Sequence, residues 1–354
     1  MTDLLQEIPT AKSTTAEHKR SRWPIAGALV VASLLAATAL SRTTLIETVN
    51  SLDRVDWPWL VAAAVAEAGS MAAFARAQRR LLRAAGTRLP IGSLMALTYA
   101  GNAISTSLPV AGPGLSGAFS VRQFRHHGVE DGVIAWAMIV SGMVSSVALA
   151  LLLAAGAVSV GSVTAALFGL AGAIVALVPA ASLLAALRFP AFRRTLKHLL
   201  AIVVTGSRRL FGRPDLRVTA AFEMSLERLV SVRVRPIRYA GVFALSAWNW
   251  VADCLCLVFA IQATGSVVPW RGILLAYGAG ITASSIGLTP GGIGIAEVAL
   301  SGALVVAGLP GREAIHAVLI YRLISFWLVV AAGWVVFAAM SRRQPKAVRL
   351  KDGL

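Results

Sequence analysis

The sequence predicts an all-α protein, a polytopic bundle of membrane helices that includes two broken, re-entrant helical hairpins in an inverted arrangement. Three observations predict this fold: long apolar runs, basic blocks between them, and two Pro/Gly-rich interruptions inside apolar sequence. Of the 354 residues, 57% are hydrophobic and 14% are charged, which is far more apolar than an average soluble chain. We therefore expect little of the protein to lie outside a bilayer.

Six apolar runs approach or exceed the ~20 residues that a helix needs to cross a bilayer. They cover residues 24–40, 57–75, 133–156, 162–187, 239–263 and 314–340. The first run is longer than the apolar part of a signal peptide and is expected to remain as a helix. The predicted organisation is a disordered cytoplasmic tail (1–22), an integral membrane domain (23–340) and a basic cytoplasmic tail (341–354).

Two further regions, residues 91–121 and 270–309, each have room for two half-length helices with a break between them. The break residues are Pro109, Gly112, Pro113 and Gly114 in the first region and Pro290, Gly291, Gly292 and Gly294 in the second. Proline removes a helix donor and glycine weakens a helix, so both breaks should interrupt their spans. Each region could be a hairpin or a pair of full spans, and the shortness of the half-helices favours hairpins.

Positive charge collects between the apolar runs. Lysine and arginine total 33 against 16 acidic residues, a net charge of +17. Because cytoplasmic loops are enriched in Lys and Arg, the basic blocks place both termini in the cytoplasm of a cell-membrane protein. The expected partners of the basic face are therefore membrane phospholipids with anionic headgroups, and no nucleic acid is expected.

The basic segment 188–238 admits two interpretations. Its mixture of arginines with phenylalanine and leucine suits an amphipathic helix that lies on anionic headgroups at the cytoplasmic surface. A solvated connector whose arginines only set the topology accounts for the same charge.

The two broken regions show a faint mutual similarity. Residues 99–107 resemble residues 277–285, and a Pro/Gly break follows each. Three full spans separate the regions, so one should open from the cytoplasm and the other from outside. Inverted repeats with broken helices are typical of alternating-access transporters. Coincidence between two helices rich in small residues is the alternative.

Several polar side chains interrupt the apolar sequence. Glu297 follows the second break and Arg322 lies in the next helix. An unpaired charge at the bilayer centre costs about 2.5–3.5 kcal/mol, so these two should pair or line a polar cavity. Glu67 and Asp253 could each meet a cationic group, carry a coupling proton, or be a protonated acid bonded within the bundle. Asn102 suits a hydrogen bond between helices, and these five residues are the candidate substrate-binding set.

Other chemistry has little support in the sequence. His126 and Asp131 have the His-x-x-x-x-Asp spacing of glycerolipid acyltransferases, but a basic loop accounts equally for this pattern. There is no phosphate-binding loop, dinucleotide fingerprint or Cys/His metal spacing. We predict no catalytic residue, metal or cofactor.

Residues 289–297, followed by Tyr321 and Arg322, resemble the signature of the lysylphosphatidylglycerol synthetase transmembrane family, often called flippase-like membrane proteins. The positions that match are Pro290, Gly291, Gly292, Gly294, Glu297 and Arg322, with Pro109, Gly112 and Gly114 matching loosely. The resemblance implies a bundle with two re-entrant elements that moves aminoacylated or glycosylated lipid headgroups between leaflets. The first break lacks an acidic residue like Glu297, which argues against symmetric binding sites.

In multiple peptide resistance factor proteins a soluble aminoacyl-transfer domain follows this membrane part. Only a short basic tail follows Met340 here, so lysyl transfer is not expected. The leading hypothesis is a flippase for a phospholipid or a modified lipid headgroup. The alternatives are a lipid-modifying transferase that uses His126 and Asp131, and a non-transporting scaffold of an envelope-biogenesis complex. A homo-oligomer and an envelope-biosynthesis partner both stay open.

Overall fold

A computed structural model describes residues 56–160, isolated positions between 167 and 189, and residues 236–343 apart from 286 and 288. Every regular element in these ranges is helical, which confirms the all-α prediction. The predictions for the tails, for the spans 24–40 and 162–187 and for the segment 188–238 lie wholly or largely outside the described residues.

The described helices are α1 (Trp57–Ala84), α2 (Ile91–Ser107), α3 (Gly112–His126), α4 (Asp131–Val160), α5 (Pro236–Ala263), α6 (Ile273–Ser285), α7 (Ile295–Val306), α8 (Gly311–Arg322) and α9 (Val329–Arg343). A π-helical stretch, Leu323–Leu328, joins α8 to α9 in one continuous helix. Within the described residues, α1, α4, α5 and the joined α8–α9 are long and apolar enough to cross a membrane. They confirm four of the predicted spans, and the protein is a multi-pass membrane protein.

Helices α1 and α5 pack side by side and run antiparallel. At one end the Asp56 backbone nitrogen donates to the Ala263 carbonyl oxygen at 3.0 Å, and at the other end Gly241 lies against the Arg80 guanidinium. Buried alanines such as Ala63 and Ala73 let the two helices approach closely. This contact places the carboxyl groups of α1 and α5 in one interface.

Both predicted breaks are present, and each folds one half-helix back on the other. In the first hairpin the Ser116 hydroxyl of α3 donates to the Gly101 carbonyl of α2 at 2.7 Å. In the second, Gly280 of α6 faces Leu300 of α7. That the two regions are re-entrant rather than pairs of full spans, and that they enter the membrane from opposite sides, stays a prediction.

The first break is shorter than the sequence suggested. Helix α2 ends at Ser107 and α3 begins at Gly112, so Gly112, Pro113 and Gly114 form the first turn of α3. Proline suits this position because the first turn has no intrahelical partner for its nitrogen. In the second hairpin the prediction of the break is correct, since α6 ends at Ser285, α7 begins at Ile295, and the 3-10 turn Pro290–Gly292 lies between them.

The last helix holds the first hairpin in place. The Trp334 indole nitrogen on α9 donates to the Ser107 hydroxyl at the end of α2 at 3.0 Å. One position earlier, Gly333 packs against the carbonyl of Tyr99, where there is no room for a Cβ atom. The neighbouring span therefore fixes the position of α2.

Candidate functional site

An ion pair lies just after the second break. The Arg322 Nε atom donates to the Glu297 Oε1 atom at 2.6 Å. The Arg322 Nη2 atom donates to the Gly291 carbonyl oxygen at 2.7 Å, so the arginine also satisfies a carbonyl that the break has freed from the helix. The other Glu297 oxygen, Oε2, accepts the Gly294 backbone nitrogen at 2.6 Å.

The local sequence explains this geometry. Glu297 is in the first turn of α7, where unpaired backbone N–H groups and the helix dipole stabilise a carboxylate. Gly291 has a φ of 57°, a left-handed conformation that favours glycine, and a Cβ atom there would lie 2.0 Å from the Phe326 ring. That same ring carries the Arg322 guanidinium, whose Cζ atom is 4.5 Å from the ring centroid.

A small cavity of about 40 Å³ opens beside the ion pair, between α6, α7 and α8. Its lining residues are Tyr277, Gly280, Ile281, Ser284, Ala296, Leu300, Tyr321 and Arg322. Two Arg322 nitrogens are engaged by Glu297 and Gly291, whereas Nη1 has no hydrogen-bond partner among the described residues. The cavity has room for water but not for a whole lipid headgroup, so a headgroup could enter only if the helices moved apart.

A second polar cluster surrounds Asp253. Its Oδ2 atom accepts the Tyr277 hydroxyl at 2.7 Å, and its Oδ1 atom accepts the Tyr321 hydroxyl at 3.0 Å. The Glu67 carboxyl on α1 lies close enough to Asp253 to interact with it electrostatically. Glu67 is only 4% exposed, and its Oε2 atom has no hydrogen-bond partner. The structure thus joins two carboxyl groups that the sequence presented separately.

A neighbouring polar pair, Ser70 and Asn249, also lies between α1 and α5. The Ser70 hydroxyl donates to the Asn249 side-chain oxygen at 3.3 Å, and both residues are buried. Ser70 is three positions after Glu67, and Asn249 is four positions before Asp253. Residues at these spacings share a helix face, so the spacing could have singled them out, although sequence reasoning did not.

The two tyrosines connect the clusters. Tyr277 and Tyr321 line the cavity beside Arg322, and their hydroxyls bind Asp253. Sequence reasoning placed both residues in repeat or family motifs but assigned them no site role. The available signal was that Tyr321 directly precedes Arg322 in the sequence, so both residues lie at the end of α8.

The remaining candidates lie apart from the ion pair. The Asn102 amide is directed to the Met71 sulfur at 3.9 Å. The break residues of the first hairpin carry no charge, yet this break touches the second one: the Val110 nitrogen donates to the Gly287 carbonyl at 3.2 Å. Val110 itself is 83% exposed and has a φ of 55°, which strains a β-branched residue.

The aspartate of the acyltransferase-like pair is bonded to an arginine in the structure. Asp131 accepts Arg125 Nε at 2.6 Å and Arg125 Nη2 at 3.0 Å, so both carboxylate oxygens are engaged by the arginine. Among the described residues, no group of three His, Cys, Asp or Glu side chains is arranged to hold a metal ion.

Comparison with known proteins gives a consistent result. The profile of a family described as the lysylphosphatidylglycerol synthase TM region matches residues 25–333. A UPF0104 membrane protein of Methanothermobacter thermautotrophicus is 29% identical over 149 residues, which are 41% of this chain and 39% of that protein. Another, from Pyrococcus horikoshii, is 30% identical over 110 residues, 31% of this chain and 33% of its own length. The chain thus matches well under half the length of these relatives.

Proposed function

Because the chain belongs to the lysylphosphatidylglycerol synthase transmembrane-region family, we propose that it moves a phospholipid or modified lipid headgroup between the leaflets of a cell membrane. The observation that carries this proposal is the Arg322–Glu297 pair beside the second break, in which Arg322 lines a cavity and has one guanidinium nitrogen unpartnered by the described residues.

The pair has the chemistry to receive a headgroup. A guanidinium binds phosphate oxygens through parallel N–H donors, so a lipid phosphate is the natural ligand of Arg322. An aminoacylated headgroup also carries an ammonium group, which Glu297 can accept. Such a headgroup can replace the internal ion pair while both side chains keep a charged partner. Leaving one buried charge unpaired would cost about 3–5 kcal/mol.

The contact between the two breaks supports the proposal that the hairpins move relative to each other. One backbone hydrogen bond, from Val110 to Gly287, links the strained tip of the first hairpin to the second break. Helices that are broken near a binding site typically shift to expose it to alternate faces of the membrane. Separation of the two hairpins would widen the cavity beside Arg322 to the size of a headgroup.

The proposal assigns no bond-making step to this chain. Asp131, the carboxylate of the alternative catalytic pair, is held by Arg125 through both oxygens, whereas the transferase hypothesis needs this carboxylate to orient His126 as a general base.

Reconstitution tests the proposal. Purified protein is inserted into vesicles that contain a fluorescent phospholipid, and a quencher added outside reports how fast the lipid changes leaflet. We expect the Arg322→Gln variant to lose at least about tenfold in rate, since each 1.4 kcal/mol of lost phosphate binding is a factor of ten.

Arg312→Gln is the matched control, because Arg312 is exposed on the first turn of the same helix. It should move lipid at the wild-type rate. A wild-type protein that moves lipid no faster than protein-free vesicles refutes the proposed function. An Arg322→Gln protein as fast as wild type removes Arg322 from it.

A further inference from the structure

The burial of Glu67 beside Asp253 requires a proton. Ionised carboxylates only accept hydrogen bonds, so two of them cannot bond each other unless one is protonated. Both Asp253 oxygens already accept tyrosine hydroxyls, which suits an ionised carboxylate. Glu67 is therefore the side chain left to donate, and it is buried with its Oε2 atom unpartnered.

We propose that Glu67 and Asp253 together bind one exchangeable proton, and that this proton and an anionic headgroup beside Arg322 favour each other's binding. The exchange is simple: the Glu67 O–H bond breaks, the proton passes to water, and a carboxylate remains. The proton site rests on the burial of Glu67, its unpartnered Oε2 atom and the two tyrosine hydroxyls on Asp253, whereas its coupling to a headgroup rests on the proposed function.

The charged and titratable groups around Glu67 and Asp253 determine how a bound anion affects the proton. Those that interact electrostatically with this pair are Tyr99 from α2, Cys254 and Cys256 from α5, Tyr277 from α6, and Tyr321 and Arg322 from α8. Tyrosine and cysteine side chains are ordinarily neutral at pH 7, so Arg322 is the cation within this described set. Arg322 in turn is shared with Glu297.

The link between the proton and the headgroup follows from the charges of these groups. The Tyr321 hydroxyl binds Asp253, and the next residue is Arg322. An anion bound to Arg322 adds negative charge near Asp253, which makes ionisation of Glu67 less favourable. By thermodynamic reciprocity, a proton on Glu67 strengthens anion binding at Arg322 by the same factor. Anionic headgroup and proton would then travel together.

Infrared spectroscopy of the purified full chain in detergent tests the proton site without requiring lipid movement. Wild-type protein should show a protonated carboxyl band that Glu67→Gln removes and that Asp253→Asn removes or shifts. The Glu67→Asp variant keeps a carboxyl group and should retain a protonated carboxyl band. This variant shows whether loss of the band in Glu67→Gln reflects the missing acid or misfolding. In the control Glu313→Gln the band should be unchanged, because Glu313 is bonded to Ser266, outside both clusters.

Short-chain phosphatidylglycerol is then added at constant pH, and the Glu67 band should grow. A band that is unaffected by Glu67→Gln overturns the proton site. A Glu67 band that does not respond to the phospholipid overturns the coupling. Failure of the vesicle assay alone would refute the proposed function but not the proton site, so the two failures are distinguishable.

Discussion

The two broken hairpins fold back in the same way but are held by different forces. The first, α2–α3, is closed by neutral contacts, such as the Ser116 hydroxyl on the Gly101 carbonyl and the close approach of Gly112 to α2. The second, α6–α7, uses Arg322 to satisfy a freed carbonyl and to bind Glu297. A hairpin that is held by a charge pair can exchange that pair for a charged ligand. We infer that the first hairpin acts as a support and the second as the binding element.

The largest effect should come from removing the charge that holds the second hairpin. Arg322→Ala leaves Glu297 and the Gly291 carbonyl without their partner, so we expect a loss of about 3–5 kcal/mol in the free energy of unfolding. Unfolding by denaturing detergent measures it. The double variant Arg322→Ala with Glu297→Gln should recover part of this loss, because the unpaired carboxylate is gone. Equal stability of the single and double variants contradicts a charge-held hairpin.

A smaller effect should come from steric change in the first hairpin. A Cβ atom on Gly112 would lie 2.0 Å from the Ser105 carbonyl oxygen, so Gly112→Ala should destabilise by about 1–3 kcal/mol through overpacking. Gly114 is two positions away and has open space around it, so Gly114→Ala serves as the control and should be neutral or slightly stabilising. If both variants unfold at the same detergent concentration, close packing does not hold this hairpin.

The smallest effect should come from a neutral hydrogen bond. Ser116→Ala removes the donor to the Gly101 carbonyl, at a cost of about 1 kcal/mol in unfolding free energy. Lipid movement in vesicles should stay at the wild-type rate, since a support hairpin needs only to remain folded. A Ser116→Ala protein that is stable but inactive would show that the first hairpin also binds substrate.

Much of the fold was accessible from the sequence because its signals are local. Run length located the spans now seen as α1, α4, α5 and α8–α9, and proline with glycine located both breaks. The pairing of Glu297 with Arg322 also followed from a local argument, since a buried charge needs a partner and these two lie on consecutive helices. The predicted length of the first break was wrong, because Pro113 can either break a helix or begin one.

Hydropathy and backbone chemistry act within a few residues, so the chain's residues alone indicate which segments are apolar helices, where these are interrupted and which charges must be sheltered. Three contacts became visible in the folded protein alone: Glu67 lies beside Asp253, Tyr277 and Tyr321 join this pair to Arg322, and the two breaks touch. Those contacts depend on how far each helix is rotated about its axis and which neighbour it faces. Side-chain packing between helices distant in sequence sets both quantities.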